Sequence, residues 1–155
     1  MKTNPRLHTV KVISIRQPWA SLVIMGIKDV ENRTWTTPYR GPIYIHASQK
    51  FDSGAMDYLE EFGDDLLDND VNNILRILPE QPRGALIGRV TLKEIVPFDE
   101  YNVDALSRWH FDDNFGWYLT DPEVLKTPIP MKGRLGLYSI EVPSSALRTV
   151  RRSFP

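Results

Sequence analysis

Short runs of β-branched and alternating apolar residues recur along the chain, separated by stretches whose apolar positions fall at a helical spacing. Thr9 to Arg16 reads as the first strand, with Val10, Val12 and Ile15 as core candidates. Its apolar parity changes at Val12–Ile13, which predicts a bulge there. Pro18 suits the first turn of a helix over Trp19 to Met25, and Gly26 suits its left-handed stop. Leu22, Val23, Ile24 and Met25 leave that helix almost no polar face, so it is expected to be buried. Asp29 to Thr36 then reads as extended, which puts Glu31, Arg33 and Trp35 on one face. Pro38 and Gly41-Pro42 mark a turn into a strand over Ile43 to Ala47. Ile43, Ile45 and Ala47 would face the core, and Tyr44, His46 and Ser48 the other side.

The period changes over Phe51 to Phe62, where Phe51, Ala55, Tyr58, Leu59 and Phe62 outline an amphipathic helix with an acidic outer face. Val71 to Leu78 predicts a second helical piece, closed by Pro79, Pro82 and Gly84. Ala85 to Phe98 carries the longest strand pattern, and Gly88 in its middle predicts a bend. Further on come a short helix over Asp104 to Trp109, a strand over Phe115 to Leu119, and a loop punctuated by Pro122, Pro128 and Pro130. A last strand spans Leu135 to Val142, and Ser144 to Val150 is expected to be a terminal helix before Arg151 and Arg152. Residues 1–8 have little pattern and read as a loose arm. The whole predicts an α+β fold: a small, mostly antiparallel β-barrel with peripheral helices.

Composition narrows the class. The 155 residues suit one domain, here taken as 1–155 with a core of about 10–142 and an acidic helical insertion of about 51–80. Nothing approaches the ~18 apolar residues of a membrane span, and Lys2 and Arg6 lead into a strand rather than a signal segment. The absence of cysteine excludes disulfides and thiolate metal sites. A cytoplasmic protein without a membrane partner is the expectation. The net charge of −1 conceals an asymmetry. Residues 1–50 hold eight Lys/Arg against two acids, whereas residues 51–80 hold one Arg against nine acids. The first third can therefore present a basic face, although uneven charge on a solvated surface reads the same way.

Lys28, Glu31 and Arg33 form the sharpest polar cluster. Lysine is a point-charge partner for phosphate, and arginine a planar fork for phosphate or a base edge. Glutamate accepts from an exocyclic amine such as that of cytosine, and Trp35 on the same face would stack on a base. The competing reading is a salt-bridged surface. Arg16 and Gln17 flank the start of the buried helix, where free N–H groups attract anions, although Pro18 removes one donor. Trp19 reads as core. His46 has a strand position from which it would reach a site. His8, His46 and His110 lack ligand spacing, and the pairs Glu60–Glu61, Asp64–Asp65 and Asp112–Asp113 read as solvated surface, so neither metal nor cofactor is expected.

These residues carry a pattern that resembles the ASCH domain family, which is named for a region of a transcriptional coactivator and belongs to the PUA-like β-barrel superfamily. The resemblance rests on Ser14-Ile-Arg-Gln-Pro-Trp-Ala-Ser-Leu22, Gly26-Ile-Lys-Asp-Val-Glu-Asn-Arg33, Arg40-Gly41-Pro42 and His46-Ala47-Ser48. Toward the C-terminus it rests on Phe115-Gly-Trp-Tyr-Leu119 and Pro128-Ile-Pro-Met-Lys-Gly-Arg-Leu-Gly-Leu137. It implies a cleft between the barrel and the helix after the first strand, lined by Lys28, Glu31 and Arg33, with Lys132 and Arg134 beside it. It implies RNA, DNA or a modified nucleoside as ligand.

Some small bacterial members are amidohydrolases that deacetylate N4-acetylcytidine, and ribonuclease activity is also associated with the family. The amidohydrolases use a lysine, a threonine three residues later and a distant glutamate. Here Lys28 matches, Glu31 stands at the threonine position, Thr34 is displaced, and Glu94 is the nearest candidate for the glutamate. The leading expectation is a monomeric binding module for RNA or a nucleoside, using Arg16, Gln17, Lys28, Glu31, Arg33, Trp35 and His46. The alternatives are a hydrolase working through Lys28 and Glu31, and a module that captures a protein partner through the acidic 57–70 region.

Overall fold

The first strand, β1 (Leu7–Gln17), is covered on both faces, which explains its change of apolar parity. Ile13 and Ile15 enter one core cluster, while Val12 and Val10 enter another on the opposite side of the sheet. The expected bulge at Val12–Ile13 is therefore replaced by two-sided burial. The register irregularity lies further on, between Ile15 and Gln17. The computed structural model describes residues 6–67 and 70–150. Residues 1–5 of the predicted arm, Asp68 and Asn69 within the acidic stretch, and Arg151 and Arg152 lie outside the described residues. Leu7 and His8, read as part of the arm, belong to β1.

β1 pairs in parallel with β3 (Gly41–Phe51), and a parallel neighbour requires a crossover connection. The crossover is α1 (Trp19–Ile24) followed by β2 (Val30–Arg33). Ala20 to Ile24 are all buried, as the missing polar face predicts. Ala20, Val23 and Ile24 pack on the sheet, and Leu22 turns to a second cluster with Val30, Leu59 and Trp109. Gly26 follows with φ +76°, the left-handed geometry that releases the chain toward β2.

The acidic helices α2 (Ser53–Leu66) and α3 (Val71–Ile77) form an excursion between β3 and β4 (Ala85–Pro97), which are antiparallel neighbours in the sheet. The Asp52 carboxylate caps α2 by accepting from Gly54 N, and also accepts from Trp19 Nε1 at 2.8 Å. In β4, Gly88 sits at a register shift, where a Cβ would lie 2.4 Å from the Glu123 carbonyl oxygen and 2.6 Å from Ile24 Cδ1. Only glycine lets α1 and the next strand approach this closely.

That strand, β5 (Phe115–Pro130), differs most from expectation. Its second half was expected to be a proline loop. The prolines are tolerated because Pro122 and Pro128 fall where the β4 ladder slips and Pro130 closes the strand. β6 (Leu137–Pro143) lies antiparallel to β1. The expected helix at 104–109 is only a 3-10 turn, Val103–Ala105. The expected terminal helix is a 3-10 turn, Ser144–Leu147, followed by β7 (Thr149–Val150), whose β-branched pair adds to β5.

The result is a mixed α+β fold. Seven strands form one sheet in the order β2-β5-β4-β3-β1-β6, with β7 on β5, and all pairings except β1–β3 are antiparallel among the described residues. The end strands β2 and β6 are not joined, so the sheet is open and the expected barrel closure is not confirmed. Among the described residues, no helix is long and apolar enough to cross a membrane.

Candidate functional site

Where β1, β2, β3 and the loop between β5 and β6 converge, they enclose a cleft of about 830 Å³. Its lining contains five cations, Arg16, Arg33, Lys50, Lys132 and Arg134, against the single carboxylate of Glu31. Close concentration of one sign in a concave site focuses the field and favours an anionic ligand. Trp19 contributes the aromatic wall.

Period two in β2 places Glu31 and Arg33 side by side on one face. Arg33 is fixed by donating from Nη2 to the Ser14 carbonyl at 2.8 Å. Its Nε lies 4.0 Å from Glu31 Oε1, too long for a hydrogen bond but close enough for ionic attraction. The two side chains are only 23% and 13% exposed. Arg33 Nε and Glu31 Oε2 are the buried side-chain polar atoms left without a hydrogen-bond partner among the described residues. A buried polar group with no partner costs about 1–3 kcal/mol, and more when charged. The pair thus keeps one donor and one acceptor unsatisfied beside the cleft.

Lys28 is near enough to feel both charges but is not in the cleft lining. It is 2% exposed, donates from Nζ to the Val30 carbonyl, and rests 5.7 Å from the centre of the Trp19 ring. Burial pushes its ammonium below the ordinary lysine range; Glu31 and Asp29 oppose that shift and Arg33 adds to it.

The other predicted residues divide. Arg16 is exposed on the rim. His46 is buried in the wall, where Nε2 donates to the Met131 carbonyl at 2.9 Å and Nδ1 meets Ser14 Oγ at 2.9 Å. A carbonyl can only accept, so Nε2 carries the proton and, in the neutral ring, Nδ1 accepts from the serine. Gln17 is fully buried and does not line the cleft. Its Oε1 accepts from Ser21 N, and its Nε2 donates to Ser21 Oγ and the Pro82 carbonyl. This supplies the start of α1 with a partner that Pro18 lacks. Trp35 packs edge-on against Trp117 at 4.9 Å and is not part of the lining, so the cleft aromatic is Trp19. Thr34 and Glu94 are exposed outside the cleft. Sequence reasoning missed Ser14, Lys50 and Leu135 as site residues. Only the glycine-flanked run Lys132-Gly-Arg-Leu-Gly136 carried a local signal for the last of these.

Among the described residues, no three His, Asp or Glu side chains group as a metal site requires. The ASCH domain model matches residues 13–128, from within β1 through most of β5, and so includes the three β2 residues of the cleft lining, Glu31, Asn32 and Arg33. The chain belongs to the ASCH domain family. It is 30% identical over 141 residues to activating signal cointegrator 1 of Homo sapiens, and equally to that of Mus musculus. These alignments take in 83% of this chain but 22% of the relatives, so the chain spans about a fifth of their length. The crystal structure of ASCH from Zymomonas mobilis has a TM-score of 0.50 at 19% identity, covering 84% of this ASCH chain and 86% of the other. A tyrosine-to-phenylalanine mutant of the same protein gives 0.51 at 18%, with 84% and 88% covered. These likenesses concern the fold.

Proposed function

We propose that this ASCH chain, as one PUA-like unit with α2 and α3 as its acidic excursion, binds nucleic acid, RNA foremost, or a modified nucleoside in the cleft. The observation that carries the reading is the unpartnered pair, Glu31 Oε2 and Arg33 Nε, within a basic lining. Every nucleobase has an edge with a donor beside an acceptor. On cytosine, Glu31 would accept from the amine while Arg33 gives its Nε–H to the ring nitrogen. Arg16, Lys50, Lys132 and Arg134 would take phosphate, and Trp19 would stack on the base face. The family's association with RNA supports the same ligand class.

A hydrolase acting on an N4-acetylcytidine-like nucleoside or on RNA is favoured by one observation, the lowered affinity of Lys28 for its proton. A neutral amine is what a general base or nucleophile needs. Against it, Lys28 is buried outside the cleft lining and already donates to the Val30 carbonyl. Capture of a protein partner through the outer face of α2, where Glu60, Glu61, Asp64 and Asp65 are exposed, is a third reading, prompted by the name of the mammalian relatives.

One incubation separates the first two. Wild type and Lys28→Ala are mixed with N4-acetylcytidine or a mixed-sequence RNA and followed by mass spectrometry. Intact substrates with RNA retention that falls with salt support a binding module. Product from wild type alone makes the protein a hydrolase.

A further inference from the structure

Loop 131–136 joins β5 to β6 and forms the outer wall of the cleft. It is anchored at its base, where Met131 N donates to the Gly84 carbonyl at 3.0 Å and His46 Nε2 to the Met131 carbonyl. Gly133 is pressed onto the same support, since a Cβ there would lie 2.8 Å from both Ser14 Oγ and His46 Cε1. The Arg134 guanidinium lies 5.7 Å from the centre of the Tyr138 ring. Gly136, at φ +74°, turns the chain back into the sheet. On this tethered scaffold the Leu135 side chain is 100% exposed. It stands at the cleft mouth, with Lys132 and Arg134 on the same loop.

A leucine held fully in water contributes nothing to the core. Its setting, an apolar tip on the same loop as two cations, fits a partner whose charged backbone flanks an apolar interior. A nucleic-acid duplex has that composition: phosphates outside, stacked base faces within. Aliphatic side chains inserted at a base step unstack it and hold it open. A free nucleoside or an unpaired strand would have no step to open.

We infer that Leu135 is a wedge that opens a weak base pair in a duplex, so that one displaced base reaches the Glu31–Arg33 edge across the cleft. Lys132 and Arg134 hold the phosphates beside the opened step. A cleft of about 830 Å³ is within the roughly 300–1,000 Å³ that encloses small ligands, so a single base has room. The inference rests on the nucleic-acid reading of the cleft and adds the duplex as the partner.

The test uses the full chain with short DNA and RNA hairpins, each containing one wobble pair (G·T or G·U), and reads the imino protons by NMR at saturating protein. Saturation is judged by fluorescence anisotropy of labelled hairpins, which also compensates for weakened variants. Wild type is expected to remove at least about two-thirds of the wobble imino intensity while flanking pairs persist, since opening concentrates at the weakest step. Leu135→Ala should leave most of that signal, and Leu135→Met should remove it as wild type does. The hairpin that opens, DNA or RNA, names the source of the duplex. Binding with the wobble pair intact, equal opening by Leu135→Ala, or binding of unpaired strands alone overturns the wedge and leaves the cleft reading standing. Absence of binding to any nucleic acid overturns both.

Discussion

Glu31 and Arg33 hold opposite charges 4.0 Å apart in a shielded cleft, yet each keeps one polar atom without a partner. Arginine–carboxylate pairs frequently close into a bidentate geometry, which adds both energy and direction. Here Arg33 donates from Nη2 to the Ser14 carbonyl, and its Nε stays 4.0 Å from the carboxylate, beyond hydrogen-bond distance. On the proposed reading, a ligand that supplies both missing bonds would offset the cost of leaving them unmade.

Rim charge governs salt dependence. If Arg16, Lys50, Lys132 and Arg134 each displace one counterion from a single strand, the slope of log K against log salt approaches about −3, from roughly −0.7 per contact. Each alanine substitution among the four should flatten the slope by roughly 0.7 and weaken different sequences alike. Anisotropy titrations of an RNA oligomer across a salt series measure both.

The loop wall depends on a glycine pressed against its support. Gly133→Val places a methyl-bearing carbon against Ser14 Oγ and His46, so either the loop or the histidine must move. Overpacking of this kind costs about 1–3 kcal/mol, and the displaced loop carries Lys132 and Arg134 out of position. Urea denaturation should show the loss of stability. RNA affinity, measured where the variant is folded, should fall as well.

Lys28 gives a pH signature. The folded chain holds its proton less tightly than the unfolded chain, whose lysine keeps the ordinary value of 10.5. Between the lowered folded value and 10.5 the unfolded state binds more protons, so this group makes stability rise with pH. Lys28→Met lacks that component. The stability of the variant relative to wild type is therefore expected to be most favourable near neutrality and to decline as pH approaches 10.5. Urea curves for both proteins at several alkaline pH values give the difference, and a difference independent of pH would mean that Lys28 is not held in a desolvated site.

What was legible in the sequence follows the range of the interactions. Glu31 and Arg33 share a face because period two is a local property of β2. Trp35 fails the same rule because β2 ends at Arg33, and beyond that point the Trp117 ring, 82 positions away, decides where the indole goes. Gln17 resembles a ligand-binding residue only until burial is known, since its partner Pro82 is remote in sequence. The length of β5 was hidden by prolines that local propensity reads as loop, whereas ladder slips accommodate them. Lys50 and Leu135 joined the site through the β1–β3 pairing and the β5–β6 loop, contacts that no local period encodes.

The central claim, that the Glu31–Arg33 pair is a ligand edge rather than a stabilising ion pair, is tested most directly by Glu31→Gln and Arg33→Gln in RNA and nucleoside titrations, with urea denaturation of the same preparations. Loss of a charged hydrogen bond at about 1.5–3 kcal/mol corresponds to at least a tenfold loss of affinity for each variant. Replacing the unsatisfied Glu31 carboxylate by the neutral amide should not reduce stability, because the carboxylate is held without a full partner. Affinity equal to wild type in both variants, with stability reduced instead, would contradict the account.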